Sequence, residues 1–228
     1  MTALSTSVGQ TLPPILEFTV FWVMIGRFNM DLCYMLHALG AVTIGGISLT
    51  STSSKEDLWL EDLLVKFSLG YFLGHGFEMI RQGTATRIFV FHHLLAITLL
   101  VGVLFNPDFI RMKATSHVLL TEFSTPFLWA WEKHPSEGAL GAFVVTYFFS
   151  RGLYLGHFVW RIFFSVDPSD IASQLTVGKF HYITLLLFVL NMLYFSAILV
   201  PSVPGHLKHL REERTKALAV SVKVHQPT

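Results

Sequence analysis

The sequence predicts an all-α, multi-pass transmembrane helix bundle, and three observations predict it. Of 228 residues, 52% are hydrophobic and only 14% charged, whereas a soluble domain carries about 25% charged residues. Mean hydropathy is +0.55, so the chain has too little polar surface to cover a soluble globule. The apolar residues fall in continuous runs near the roughly 20 residues that a helix needs to cross hydrocarbon. A transmembrane barrel would instead show alternating segments of ~10 residues.

Seven such runs are expected as spans. The first, 12–28, opens on Pro13-Pro14 with no basic residue ahead of it, so it reads as a retained helix rather than a cleaved signal peptide. The second, 32–49, ends in the polar turn 48–54, before Lys55-Glu56-Asp57. The third, 60–80, carries Glu61, Asp62 and Lys66 near its start, where they are expected to snorkel to the interface. The fourth, 88–105, closes on Asn106-Pro107-Asp108. In the fifth, 114–131, Pro126 should kink the helix and free backbone carbonyls, and Trp129 and Trp131 sit at the interface. The sixth, 139–164, closes on Asp167-Pro168-Ser169-Asp170, and the seventh, 180–200, is expected to end at Pro201 and Pro204-Gly205. Gly70-x-x-x-Gly74 and Gly152-x-x-x-Gly156 allow close helix approach.

Net charge is +1, and its distribution is more informative. With seven spans, Arg27, Arg81, Arg87, Lys133, Lys208, Arg211, Arg214, Lys216 and Lys223 share one side of the membrane, against Lys55, Arg111, Lys113, Arg161 and Lys179 on the other. The richer side should be cytosolic, which places the C-terminus there. Six spans would put both ends in the cytosol. The expected organisation is an N-terminal extension and extra helix at 1–28, a membrane domain at 29–201 and a basic cytosolic tail at 202–228. That tail is either solvated or laid as a short helix on an anionic membrane surface. Cys33 is the only cysteine, so there is no intrachain disulfide.

Ionisable groups inside a membrane are costly and mark function by default. Ser68, Tyr71, His75, Glu78 and Gln82 recur at helical spacing on the third span, as do Ser150, Tyr154, His157 and Arg161 on the sixth, with Arg151 beside them. His117, Thr121 and Ser124 share a face of the fifth, with Glu122 about 100° from Thr121. His181, Thr184 and Asn191 form a looser stripe on the seventh. Polar stripes on apolar helices must turn inward, so the four should converge. His92 and His93 lie roughly 8 Å past Arg87, and adjacent helical residues point about 100° apart. One of the pair can therefore reach a site while the other packs or hydrogen-bonds. Either could be a general base, a nucleophile, a metal ligand or a hydrogen-bond strut. Arg151 needs an acidic partner, for which Glu78 and Glu122 are the candidates. No His-x-x-His-His set, zinc signature, Gly-x-Ser-x-Gly elbow or phosphate-binding glycine loop is present.

Leu36-His37-Ala38-Leu39, Gly70-Tyr71-Phe72, Phe91-His92-His93-Leu94 and Glu122-x-Ser124-x-Pro126-Phe127, in that order, resemble the TLC family. The family is named for TRAM, the longevity-assurance (ceramide synthase) proteins and a neuronal ceroid lipofuscinosis membrane protein. The resemblance implies six domain helices in an up-and-down ring, with the 12–28 run as a preceding extra span. The chain departs from the ceramide synthases, whose later signature is His-Asp-x-x-Asp. Here His117 is followed by Val118, and Thr121 stands at the second aspartate position. His75 also stands where family members often carry Asp. The Glu122 segment is more similar to the "TLC domain-containing" branch, linked to membrane phospholipid composition and fluidity.

The expected function is lipid homeostasis, with a membrane lipid bound or sensed in an intramembrane cavity. The residues expected to line it are His75, Glu78, His117, Glu122, Ser124, Arg151, Tyr154 and His157. The alternative is an acyl-CoA-dependent acyltransferase with His92 and His93 as its catalytic residues and acyl-CoA as co-substrate. In it, His75 and Glu78 tune the base and Arg151 holds an anionic group. A third reading gathers His75, Glu78, His92 and His117 round a metal ion. The favoured reading carries no cofactor, no metal and no nucleic-acid partner. The resemblance implies the endoplasmic reticulum rather than the plasma membrane.

Overall fold

The computed structural model describes residues 2–51, 58–164 and 171–224; side chains are described over 11–51, 58–164 except 88, 107 and 108, and 182–216. Among the described residues every regular element is helical, as the sequence predicts. Helix α1 is Thr2–Phe28, α2 Met30–Thr50, α3 Leu58–Arg81 and α4 Arg87–Leu104. A short α5, Pro107–Arg111, precedes a composite rod of α6, Ala114–Leu119, a 3₁₀ turn, Leu120–Ser124, and α7, Thr125–Lys133. The next rod joins α8, Glu137–Tyr147, to α9, Leu155–Phe164, through a π-helical segment, Phe148–Tyr154. The last joins α10, Ile171–Tyr194, to α11, Val200–Val224, through a second π segment, Phe195–Leu199.

Local chemistry sets the boundaries. Asn29 breaks α1 from α2 in a single extended residue, and its side chain accepts the Leu32 N–H at 3.0 Å as an N-cap. Helix α3 ends on Gly83, at φ +69°, in a Schellman turn: Gly83 N–H donates to Ile80 O at 3.1 Å and Thr84 N–H to Met79 O at 3.0 Å. Thr86 then caps α4 by accepting the Phe89 N–H. Pro126 lies in the first turn of α7, where its missing N–H is tolerated. The helix tightens to 3₁₀ geometry ahead of it, and the Thr121 carbonyl accepts side-chain hydroxyls from Ser124 at 3.2 Å and Ser150 at 3.5 Å.

Two boundaries and one side-chain placement differ from expectation. Helix α1 runs upstream through Pro13-Pro14 instead of starting there. Pro201 and Pro204 do not end the last rod, which continues to Val224. The π turn directly before Pro201 explains this: Val200 N–H reaches back five residues to Phe195 O, and the widened turn relieves the clash a proline ring makes with the carbonyl four residues back. The tail is thus a continuation of a span and not a separate surface helix, and Arg211 pairs with Glu137 of α8 at 3.0 Å. The third is Glu61, which does not snorkel: it is fully buried. The expected turns at 52–57 and 167–170, and the side chain of His181, lie outside the described residues.

Met30–Thr50, Glu137–Phe164 and Tyr182–Lys216 are long and apolar enough, by length and composition, to cross a membrane, and Phe89–Leu104 is a shorter apolar helix. The rods form a closed ring in which α2 touches α3, α3 touches α4, α4 touches α10, α10 touches α9, α8 touches α7, and α6 and α7 return to α2. Helix α1 lies outside the ring against α3. A Cβ on Gly74 would stand 2.8 Å from Thr19 O and 2.9 Å from Trp22 Cβ, so the first glycine pair lets two backbones touch. Gly152 and Gly156 instead seat the side chains of Met192 and Phe188 from α10. The outer surface is apolar, and the interior mixes apolar side chains such as Trp22, Leu64, Leu99 and Phe143 with polar ones. His37, Glu61, Ser68, His75, Glu78, His93 and Asn191 are buried, while Leu16, Met24, Phe28, Ile80, Leu94, Trp160 and Phe164 face outward. Hydrocarbon accommodates such a surface, and water does not.

Candidate functional site

The predicted polar residues do not form one cavity; they sort into four groups. The first is a column of rings between α2, α3 and α4. His37 stacks on Tyr71 at 3.7 Å between centroids and 3° between planes, Tyr71 on His75 at 5.0 Å, and His75 on His93 at 5.2 Å. The far end is Phe67, stacked on His37 at 5.7 Å. Hydrogen bonds fix the column. His37 Nε2 meets Ser68 Oγ at 3.1 Å, and His75 Nδ1 meets His93 Nε2 at 3.0 Å. His93 Nδ1 lies 2.9 Å from the Phe89 carbonyl. A carbonyl can only accept, so His93 carries its hydrogen on Nδ1. In the uncharged pair, His93 Nε2 therefore accepts from the Nδ1–H of His75, and the basic nitrogen left over is His75 Nε2. Both nitrogens of His93 are used inside the protein.

The second group surrounds Arg151, which the π segment carries inward. Its Nε donates to Ser124 Oγ at 3.2 Å, Nη1 to Asn191 Oδ1 at 3.0 Å and Nη2 to Glu122 Oε1 at 3.4 Å. Tyr147 donates to the same Asn191 oxygen at 3.1 Å, and the guanidinium lies 5.3 Å from its ring centre. Thr125 Oγ donates to Glu122 Oε2 at 2.7 Å. Of the two candidate partners for Arg151, the structure selects Glu122. The adjacent histidines diverge as helical geometry requires: His93 bonds His75 on α3, while His92, whose ring plane lies 77° from that of His93, meets Phe72 edge-on at 6.0 Å between centroids.

Glu78 belongs to a third group. Its buried carboxylate receives Arg27 Nε at 3.0 Å and Arg81 Nε at 2.6 Å, both from half-exposed side chains. This ties α1 to the end of α3. The fourth group is His117, whose Nδ1 meets Tyr154 OH at 2.7 Å and whose ring stacks on Phe158 at 4.4 Å. His157 is exposed, as is Arg161. The Ser150–Tyr154–His157–Arg161 stripe is broken because its first residues lie in the π segment, where steps of three and four no longer hold one face. Among the described residues no three His, Cys, Asp or Glu side chains could hold a metal ion. The structure does not bring His75, Glu78, His92 and His117 of the metal reading together.

Sequence reasoning missed two participants. His37 lies within a quoted motif to which the sequence assigns no role, yet it stacks between Phe67 and Tyr71 in the ring column. The other is a knot at the far end of the ring. Buried Glu61 accepts N–H bonds from Thr115 at 2.6 Å and Ser116 at 3.1 Å, and hydroxyl bonds from Ser116 and from Ser48 at 3.4 Å. Lys113, in the left-handed region at φ +53°, donates to the carbonyls of Ser48 and of Ser51, the latter at 3.0 Å. No local pattern announces contacts between positions more than 50 residues apart.

One cleft approaches these groups from the outside. It lies between α3 and α4, has a volume of about 290 Å³, and opens laterally past exposed Phe77, Ile80, Phe89 and Leu94. His93 and Gly76 form part of its floor, and a Cβ on Gly76 would stand 3.4 Å from His93 Cδ2.

The chain matches the family model described as the TLC domain over residues 27–200. No curated protein and no solved structure matches it.

Proposed function

The chain belongs to the TLC-domain family, and from that premise we propose that it serves lipid homeostasis by binding or sensing a membrane lipid in the cleft between α3 and α4. The carrying observation is the cleft: apolar walls, a lateral mouth among outward-facing apolar residues, and a histidine of the ring column in its floor. A ligand pocket of roughly 300 Å³ is at the small end of the usual range, which suits part of one hydrocarbon chain. Sensing would run from the cleft through His93 to His75. Of the residues expected to line a lipid cavity, His75, Glu78, His117, Glu122, Ser124, Arg151, Tyr154 and His157 do not line this cleft, and the reading gives them no contact with its occupant. Residence in the endoplasmic reticulum with a cytosolic C-terminus completes the proposal, and glycosylation-tag mapping in cells tests it.

The test is lipid analysis of the purified protein. Gly76→Leu fills the cleft and should remove the co-purifying lipid, and His92→Ala/His93→Ala should change its identity or amount. Retention of the same lipid at the same stoichiometry by both variants sinks the proposal.

One observation favours the acyltransferase alternative in an altered form, with His75 as the base in place of His93, both of whose nitrogens are engaged. The hydrogen-bond order from Phe89 O through His93 to His75 holds one imidazole nitrogen in base form. Such a base would take the proton of an amine or hydroxyl as it attacks the thioester carbonyl of an acyl-CoA, with the CoA thiolate leaving. Acyl transfer from labelled acyl-CoA by protein in nanodiscs, abolished in His75→Ala, is the required result.

A further inference from the structure

The cleft is polar at neither wall nor floor, although a histidine lines it. His93 spends Nδ1 on the Phe89 carbonyl and Nε2 on His75, and turns the carbon Cδ2 towards Gly76. A headgroup placed there would find no donor or acceptor, so the cleft takes hydrocarbon alone. The polar part of its occupant must lie at the mouth.

The lateral mouth ends at the α3–α4 turn. Ile80, Ala85 and Phe89 line the cleft at this end, and Arg81 and Arg87 flank them in sequence. Arg87 is exposed, and among the described residues no carboxylate pairs with it. Arg81 and Arg27 share the single carboxylate of Glu78. Three guanidinium groups against one carboxylate leave two positive charges in excess, at the edge of a membrane-facing hydrocarbon slot. Guanidinium groups present forked N–H donors that match phosphate oxygens.

We infer that the occupant is a phosphate-bearing lipid, with one acyl chain in the α3–α4 cleft and its phosphate on Arg87, beside the Arg27–Glu78–Arg81 cluster. This rests on the lipid-binding reading above. Neutral lipids with the same chains enter the cleft more weakly because they leave these arginines to water.

Photolabelling of the full chain in dodecyl maltoside micelles, which supply no phosphate group, tests this, using phosphatidic acid or diacylglycerol as the minor component. Both probes carry the same mid-chain diazirine, and labelling is read on the peptide spanning 72–97. Phosphatidic acid should label at least about five-fold more than diacylglycerol, the effect of roughly one interfacial cation. Arg87→Gln should reduce phosphatidic acid labelling to the diacylglycerol level and leave diacylglycerol labelling unchanged, and Arg87→Lys should restore most of the preference. Equal labelling by the two probes, or no effect of Arg87→Gln, overturns the phosphate inference and leaves the lipid cleft standing. If neither probe labels α3 or α4 while both label other outward faces, the cleft reading itself fails.

Discussion

Arg151 and Glu122 meet at 3.4 Å inside the helix ring, each side chain only 13% exposed, and Arg151 also donates to buried Ser124 and Asn191 on the two neighbouring rods. Removing one member leaves a charge with no counterion in a low-dielectric interior, which costs about 3–5 kcal/mol. Arg151→Gln and Glu122→Gln should each lower the thermal unfolding temperature of the detergent-solubilised protein strongly. The double variant should recover part of the loss, because it removes both charges. Strictly additive losses would show that the two residues do not act as a pair.

Glu61 predicts a comparable effect far from the candidate site. Glu61→Ala strips the acceptor from Thr115 N–H, Ser116 N–H and Ser116 Oγ, leaving buried donors unsatisfied at about 1–3 kcal/mol each. Glu61→Gln, which keeps one carbonyl oxygen, should lose less. Unfolding curves of the two variants give the order, and an Ala variant as stable as the parent would contradict the burial of this carboxylate.

The helix crossing predicts a glycine contrast. Gly74→Val places atoms against Thr19 O and Trp22 Cβ and should cost about 1–3 kcal/mol by overpacking, and should loosen α1 from α3. Gly46 has open space around its Cβ position, so Gly46→Ala should be neutral or stabilise by up to about 1 kcal/mol. Disulfide trapping between α1 and α3 reads the first effect, and thermal unfolding reads both.

The ring column predicts tautomers. Nitrogen-15 NMR of histidine-labelled protein should show His93 and His75 each protonated on Nδ1 in the uncharged state. His93→Ala should release that fixed state at His75. An Nε2–H tautomer at His93 would contradict the bond to Phe89 O.

The bundle was legible because composition and run length state it directly, and so were the contents of the interior, since Glu122, Arg151, His75 and His93 are costly wherever they meet lipid. Their grouping was not legible. Spacing says which residues share a face of one helix, but not which faces meet. Glu78 shares its stripe with His75, yet two arginines near the helix ends claim it. The sixth-span stripe failed for a local reason: counting by 3.6 residues assumes an α-helix, and Phe148–Tyr154 is not one. Glu61 failed for a distant one, since its partners at 115 and 116 form a site only after the ring closes.

The two π segments also fix how the chain tolerates changes in length. Each holds a residue that an ordinary α-helix of the same rise would not need. Deleting one residue within 148–154, Arg151 excepted, gives the chain a route back to regular α geometry and leaves everything downstream on its present face. The same deletion in a flanking α-helical stretch has no spare residue to absorb it and turns everything beyond by about 100°, which takes Leu155, Phe158 and Ile162 of α9 off the buried face. A single-residue deletion scan through this rod should therefore find its best tolerated positions inside the π segment, ahead of flanking α-helical positions that are equally buried.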